Sequence, residues 1–286
     1  MSLHFEYLLG IETVRGIIKD VCIKLWDCLK QICMPEMDED SWLRTANEFY
    51  QKTQFPNCIG AIDGKHIRVR KPKNSGSLFF NYKSFFSIVL LGVVDANYCF
   101  ISVDVGSYGS CSDSYAFKNS NFGQRLEMNQ LKLPKSVQLP GDRLGQEIPF
   151  VLVGDEAFAL SKHVLRPYAR KNLTQAKRIF NYRLTRARRM VECTFGILAN
   201  KWRIFHRPID VNPEFCDSII KACCVLHNFV RQRDGVSFDD TLYECPFENI
   251  NPCRVRPATS AVSIREYFTE YFTSAEGSIP WQYDRI

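Results

Sequence analysis

The sequence predicts an α/β protein in which a mixed sheet is flanked by helices. Residues 1–54 place apolar side chains at helical spacing, whereas from Pro56 the period becomes strand-like and Ile, Val and Phe dominate. One further apolar run follows, and after it only helical patterns are expected. This order of elements, with several strands followed by one more strand and then helices, is typical of a layered α/β sheet that has its functional site at the strand ends.

Residues 1–54 are predicted to form a small all-helical region. One helix is expected over 5–33, where Pro35 ends the pattern, and a second over about 40–50. The fragment LLGIETVRGII resembles the second half of a helix-turn-helix, so this region is interpreted as partly helix-turn-helix-like. An amphipathic helix that only packs against the main domain is an equally weighted alternative.

Residues 55–235 are predicted to form the main domain, and residues 236–286 a C-terminal tail with a short helix. Four strands should form an antiparallel meander, at about 58–63, 66–70, 85–94 and 98–105. A helix over about 113–127 is expected to be capped by Ser112 or Asp113. The buried strand PFVLVGD follows it. The remaining helices are predicted at about 161–170, 174–203 and 213–232.

The composition indicates an intracellular protein with reduced thiols. The chain has 12 cysteines, but its first residues lack the pattern of a secretory signal, and no Cys-x-x-Cys pair points to structural zinc. No apolar run reaches the roughly 18 residues that a membrane span requires, so no membrane partner is expected.

Three acids stand at positions where they can converge. Asp63 ends the run CIGAID, Asp155 ends the run PFVLVGD, and Glu192 lies beside the apolar stripe of the long helix. Convergent carboxylate oxygens are what Mg²⁺ prefers, and divalent metals support phosphodiester chemistry. We therefore predict that these three acids are catalytic residues and metal ligands. The plainer alternatives are turn roles for the two aspartates, and for Glu192 an ion pair with Arg188 or Arg189.

The stretch 162–207 is strongly basic. It carries thirteen Lys and Arg residues and a single acid, Glu192, so it is predicted to face phosphates. The candidate DNA-binding residues are Lys177, Arg178, Arg183, Arg186, Arg188 and Arg189. No catalytic role is predicted for two other charged side chains. Lys65 is interpreted as a backbone contact or as part of a solvated strand face, and Asp113 as a helix cap.

Several segments together resemble the PIF/Harbinger DDE transposases and the domesticated host genes derived from them. These segments occur in order over about 55–232 and are FPNCIGAIDGKHIRVRKP, FFSIVLLGVVDANYCFISVDVGSYGSCSDSYAF, VLVGDEAF, FNYRLTRARRMVECTFGILANKWRIF and HNF. The resemblance implies a ribonuclease H-like fold and a nuclear DNA endonuclease, with the cytoplasm as a second location. It places the catalytic triad at Asp63, Asp155 and Glu192.

The same resemblance implies two Mg²⁺ ions, for which Mn²⁺ can substitute, and DNA as the substrate. It also implies a separate Myb/SANT-like DNA-binding partner protein and a homo-oligomer. Strand transfer would accompany cleavage in an active transposase. The competing interpretation is a domesticated DNA-binding or protein-interaction module without catalysis. A third, an unrelated metal-dependent hydrolase, would be preferred if the basic stretch lay far from the acids.

Overall fold

Three helices open the chain. The computed structural model describes residues 3–143, 145–169, 171–235, 248–249 and 258–286. The first helices are α1 (Leu3–Tyr7), α2 (Ile11–Cys33) and α3 (Glu39–Thr53). The helix predicted over 5–33 is therefore interrupted after Tyr7, where Leu8 adopts a left-handed φ of 54°. Asp38 caps α3, because its carboxylate accepts a hydrogen bond from the amide of Ser41.

The sheet contains three antiparallel strands followed by two parallel ones. β1 (Cys58–Arg68), β2 (Ser87–Val94) and β3 (Phe100–Tyr108) form the predicted meander. β4 (Val151–Val153) pairs in parallel with β1, and β5 (Val164–Leu165) in parallel with β4, which gives the order β3-β2-β1-β4-β5. A short strand, β6 (Glu248–Asn249), pairs with β1 beyond the end of β4. This arrangement confirms a ribonuclease H-like mixed sheet.

Two sequence-based expectations about the strands are wrong. The strands expected at 58–63 and 66–70 are one continuous strand, because Gly64 pairs with Leu91 of β2 and makes no turn. The helix expected over 161–170 is replaced by β5, so strands do not end at β4. β5 has only two residues, and its neighbour β4 determines its conformation more than any local periodicity does.

Most of the helices that follow the meander begin with a side-chain cap. The helix predicted over 113–127 is divided into α4 (Asp113–Asn119) and α5 (Asn121–Glu127) at Ser120, which caps α5. Next come α6 (Gln175–Lys201), α7 (Pro213–Asp234) and α8 (Thr259–Tyr271). Short 3-10 turns lie at Arg203–His206 and Pro280–Arg285. No described helix has both the length and the apolarity needed to cross a membrane.

The helices cover the sheet from both sides. The apolar stripe predicted on α6 is confirmed, and these of its members are fully buried in the main core: Phe180, Leu184, Ala187, Val191, Phe195 and Leu198. α3 and α5 cover the other face, where Trp42 and Phe122 pack with Ile59 and Ile62. α2 lies along α7 and places Trp26 against the main core.

The C-terminal segment contributes to the main core. Phe268 and Phe272, on and just after α8, are fully buried, and their rings lie 5.3 and 5.2 Å from that of Phe55. Phe180 of α6 belongs to the same aromatic cluster. Burial of aromatic side chains supplies a large share of core stability, so this segment helps to hold α6 on the sheet.

Candidate metal centre

Asp63 lies in the middle of β1 and is completely buried. Its Oδ1 accepts a hydrogen bond of 3.0 Å from the amide of Gly64, and its Oδ2 lies 2.9 Å from Nζ of Lys65. Side chains two residues apart on a strand share a face, so both groups project from the same side of β1. A carboxylate removed from water in this way needs cations or donors around it.

Asp155 follows β4 after Gly154, and β4 is the strand next to the one that carries Asp63. Gly154 permits the close approach, since a Cβ there would lie 2.9 Å from Cδ2 of Phe158 and 3.1 Å from Cγ2 of Ile62. The Asp155 carboxylate accepts a hydrogen bond of 2.8 Å from the amide of Ala157, which orients it at the strand end. The close packing of β4 on β1 therefore sets the distance between the two acids.

Asp113 brings a third carboxylate into this position. The cap of α4 is Ser112, whose hydroxyl accepts a hydrogen bond from the amide of Tyr115. The carboxylate of Asp113 is therefore not used for capping. Asp113 is fully buried, and neither of its oxygens has a hydrogen-bond partner among the described residues. The hydroxyl of Ser114 donates a hydrogen bond of 2.7 Å to the carbonyl of Ala157. This bond connects the start of α4 to the loop that contains Asp155.

The three aspartates form one cluster. One carboxylate oxygen from each of Asp63, Asp113 and Asp155 lies within 4.8 Å of the other two. Burial, and then the negative charges of Asp63 and Asp155, raise the pKa of Asp113 well above its ordinary value. Burial and the charge of Asp63 raise the pKa of Asp155 to about 6.

The donor set of this cluster fits a hard divalent cation. Like charges this close repel one another, and buried carboxylate oxygens without donors are costly. A cation with oxygen ligands would remove both costs, which is the role that Mg²⁺ and Mn²⁺ fill in carboxylate sites. The cluster can therefore hold a metal through Asp63, Asp113 and Asp155.

Glu192, the third acid predicted from the sequence, lies outside this cluster. Its Oε1 is paired with the guanidinium of Arg188, one turn earlier on α6, which is the ion pair weighed as the alternative. The carboxylate is 40% exposed, whereas Arg188 is mostly buried. The charge of Arg188 lowers the pKa of both Asp113 and Asp155, so Arg188 acts on the cluster as well as on Glu192.

One of the predicted DNA contacts is located in the interior. Arg183 is 1% exposed and donates to the carbonyls of Gln54 and Gly277 and, over 2.9 Å, to Oε1 of Gln282. Its guanidinium also lies 4.3 Å from the ring centroid of Phe272. The interpretation of Arg183 as a phosphate contact is therefore wrong, because the C-terminal segment folds over this part of α6 and uses its donors.

Four of the other predicted DNA contacts on α6 divide into two groups. Arg186 lies over the ring of Trp281 and Lys177 over that of Tyr168, so both are partly covered. Arg178 and Arg189 are exposed. The candidate DNA contacts therefore do not all present their charge to solvent, and the charge of Arg188 acts on the acids.

The sequence interpretation missed Asp113 and misjudged Lys65. An acid in the first turn of a helix is usually explained by capping, and Asp113 fits that description as well as Ser112 does. The adjacent serine was the available signal, since it can cap the helix and release the acid. The ammonium of Lys65, expected on a solvated face, is buried beside Asp63.

A ribonuclease H-like sheet with carboxylates gathered where its central strands meet defines a class of nucleases and their relatives. The chain belongs to the DDE superfamily endonucleases, because the sequence profile of that family matches residues 62–228. This matched segment includes all three aspartates of the cluster, and Glu192 as well.

Curated relatives agree with this assignment. The chain is 30% identical over 211 residues to the protein ALP1-like of Arabidopsis thaliana, covering 70% of this chain and 50% of that protein. It is 25% identical over 194 residues to HARBI1 of Homo sapiens, named as a candidate nuclease, covering 67% and 51%. It is 27% identical over 197 residues to the Arabidopsis protein named antagonist of like heterochromatin protein 1, covering 68% and 48%. The chain thus spans about half the length of these relatives. No solved structure matches it significantly.

Proposed function

We propose that this protein is a metal-dependent DNA endonuclease that cleaves phosphodiester bonds at the aspartate cluster. The observation that carries the proposal is the trio of carboxylates, of which Asp63 and Asp113 are buried, Asp155 is partly buried, and Asp113 has two oxygens without a described hydrogen-bond partner. Such a group of oxygens is suited to a divalent cation and has no evident structural use. Membership of an endonuclease family supports DNA as the substrate.

Asp63, Asp113 and Asp155, joined by Glu192, would supply the ligands for two Mg²⁺ ions, for which Mn²⁺ can substitute. Bound divalent metal would activate the attacking water and stabilise the leaving oxygen of the phosphodiester. The protein's own contribution is positioning: β1 and β4 hold Asp63 and Asp155 in adjacent strands, and the bond from Ser114 to the carbonyl of Ala157 holds Asp113 beside them. Fixed carboxylates of this kind require little rearrangement when a metal binds.

Glu192 is proposed to join the site when Arg188 releases it. A scissile phosphate close to the cluster would compete with the Glu192 carboxylate for the Arg188 guanidinium, since Arg binds phosphate oxygens through two parallel hydrogen bonds. Arg188 would then contact DNA and Glu192 would turn toward the metal. The partial exposure of Glu192 leaves it room to move.

DNA binding beyond the site is proposed to involve the exposed residues Arg178 and Arg189. Nuclear location, a Myb/SANT-like partner protein that supplies end recognition, a homo-oligomer and strand transfer after cleavage are proposed on family resemblance. The relative named as an antagonist of a heterochromatin protein supports a chromatin setting. That name also supports the second candidate function, a domesticated DNA-binding or protein-interaction module without catalysis.

The deciding experiment is cleavage of a labelled DNA duplex by purified protein in Mg²⁺ or Mn²⁺. We expect metal-dependent nicks that disappear in Asp155→Ala and Asp113→Ala and in excess EDTA. Asp95→Asn is a suitable control, because Asp95 is a partly buried acid whose carboxylate accepts hydrogen bonds only from the turn amides of Asn97 and Cys99 in the described contacts. Equal DNA binding by wild type and Asp155→Ala, with no cutting by either even when a candidate partner is added, would favour the non-catalytic module.

A further inference from the structure

Lys65 is a cation inside the acidic cluster. Its side chain is 5% exposed, and its Nζ lies 2.9 Å from Oδ2 of Asp63, whose side chain is 1% exposed. The same ammonium lies 5.8 Å from the ring centroid of Phe195 on α6. The charge of Lys65 also lowers the pKa of Asp113 and Asp155, so this ammonium acts on all three acids.

A metal bound by the cluster would compete with the Lys65 ammonium for the carboxylate of Asp63. The Oδ2 of Asp63, which faces Lys65, would attract the ammonium less strongly if the carboxylate also held a divalent cation. An ammonium with this little access to water is costly unless an anion stays beside it. Metal binding therefore favours the movement of the Lys65 ammonium toward a new anion.

The anion that enters such a site with the metal is the phosphate of the substrate. Lys has three rotatable donors on a flexible four-carbon stem, so its ammonium can change partners without a change in the backbone. The backbone of Lys65 is held in place, because it pairs with Leu90 of β2 on one side and Asn249 of β6 on the other. The motion is thus confined to the side chain.

We propose that Lys65 is a substrate-contacting residue with two successive partners. In the metal-free protein its ammonium neutralises Asp63, and when a divalent cation takes that carboxylate, the ammonium donates to a non-bridging oxygen of the scissile phosphate. This inference rests on the proposed nuclease function. It adds a DNA contact that forms only after the metal site is filled.

The test is DNA affinity measured with and without Ca²⁺, a divalent cation chosen to occupy the site while cleavage is avoided. Fluorescence anisotropy of a labelled duplex is recorded in EDTA and in Ca²⁺ for wild type, Lys65→Met and Lys65→Arg. Lys118→Met is the matched control, because Lys118 is an exposed lysine on α4 and its loss changes the net charge by the same amount.

The expected result is conditional on the metal. In EDTA, Lys65→Met binds DNA as wild type does, because the ammonium is then occupied by Asp63. In Ca²⁺, Lys65→Met binds at least roughly tenfold more weakly than wild type, the size expected for one hydrogen bond to a charged group. Lys65→Arg, which retains the charge, recovers part of this affinity. Lys118→Met shows the same small change in both conditions.

Equal weakening of Lys65→Met in both conditions, or no weakening in Ca²⁺, would overturn the role of Lys65. If Lys65→Met does not fold, Lys65→Gln replaces it, since the amide keeps a hydrogen bond to Asp63 without the charge, and the same comparison decides. Failure of the nuclease proposal has a different result: wild type and Asp155→Ala then gain no DNA affinity from Ca²⁺. A gain in wild type that Lys65→Met fully retains contradicts only the present inference.

Discussion

A carboxylate oxygen of Asp113, in the first turn of α4, lies within 4.8 Å of one from Asp63, in the middle of β1. These residues are 50 positions apart in the chain, and the β2–β3 hairpin lies between them. Both acids are fully buried, so their charges are poorly screened by water. The close approach stores electrostatic repulsion that a bound divalent cation would relieve.

Neutralising Asp113 should stabilise the metal-free protein and abolish its response to metal. We expect Asp113→Asn to raise the free energy of unfolding at pH 8 by about 1 kcal/mol or more, because burial and the two neighbouring carboxylates disfavour ionisation of Asp113 and raise its pKa in the folded protein, and asparagine removes that cost. Thermal melts with and without Mn²⁺ check this. Wild type should gain stability from Mn²⁺ and the variant should not. A variant that retains the full response to Mn²⁺ would exclude Asp113 from the metal site.

Metal binding should weaken as the pH falls through about 6. The pKa of Asp155 is raised to about 6, so at lower pH a proton competes with the metal for this carboxylate. The stability of the metal-free protein has the opposite pH dependence. Between about pH 4, the ordinary pKa of Asp, and about pH 6, the folded protein holds a proton on Asp155 that the unfolded chain has lost. The free energy of unfolding therefore falls as the pH rises through this range.

Melting temperatures measured from pH 5 to pH 8, with and without Mn²⁺, separate these two effects. The increase caused by Mn²⁺ should be small at pH 5 and complete by about pH 7.5, well above the pKa of Asp155. An increase that does not depend on pH would mean that Asp155 is not a ligand.

Arg183 should matter for stability and not for DNA binding. Arg183→Met leaves the carbonyls of Gln54 and Gly277 without their buried donor, and we expect a loss of about 3 kcal/mol in the free energy of unfolding. Arg178→Met, an exposed arginine on the same helix, should change stability by less than about 0.5 kcal/mol. Urea denaturation measures both. Arg183→Met with wild-type stability and weaker DNA binding would restore the interpretation of Arg183 as a phosphate contact.

Gly154 should be required for the spacing between Asp63 and Asp155. A methyl group at this position meets Phe158 and Ile62 at 2.9 and 3.1 Å, so Gly154→Ala should cost about 1–3 kcal/mol and weaken Mn²⁺ binding. Gly16→Ala is the control, because no atom lies within 4 Å of a Cβ there and alanine favours the α2 helix by about 0.5–1 kcal/mol. Calorimetric titration with Mn²⁺ and thermal melts test both variants. Unchanged metal affinity in Gly154→Ala would show that the strand spacing tolerates the methyl group.

Local patterns were sufficient for much of the fold and part of the site. The strand-like runs that end at Asp63 and Asp155 and the apolar stripe of α6 are properties of short segments, so their periodicity predicted the meander and the long helix. The structure confirms that Asp63 and Asp155 lie close together, although Asp63 is in the middle of β1 and not at its end. β5 has too few residues to produce such a pattern.

The roles of Asp113, Lys65 and Arg183 depend on contacts between segments far apart in the chain. Whether Asp113 caps α4 or faces Asp63 is decided by the bond from Ser114 to Ala157 and by the packing of β4 on β1. Arg183 is internal because Gln282, 99 positions later, folds over it. The charge and type of a side chain are local properties of the sequence, whereas its burial and its partners depend on tertiary packing, and burial determines whether a charged group faces solvent, a metal or another charge.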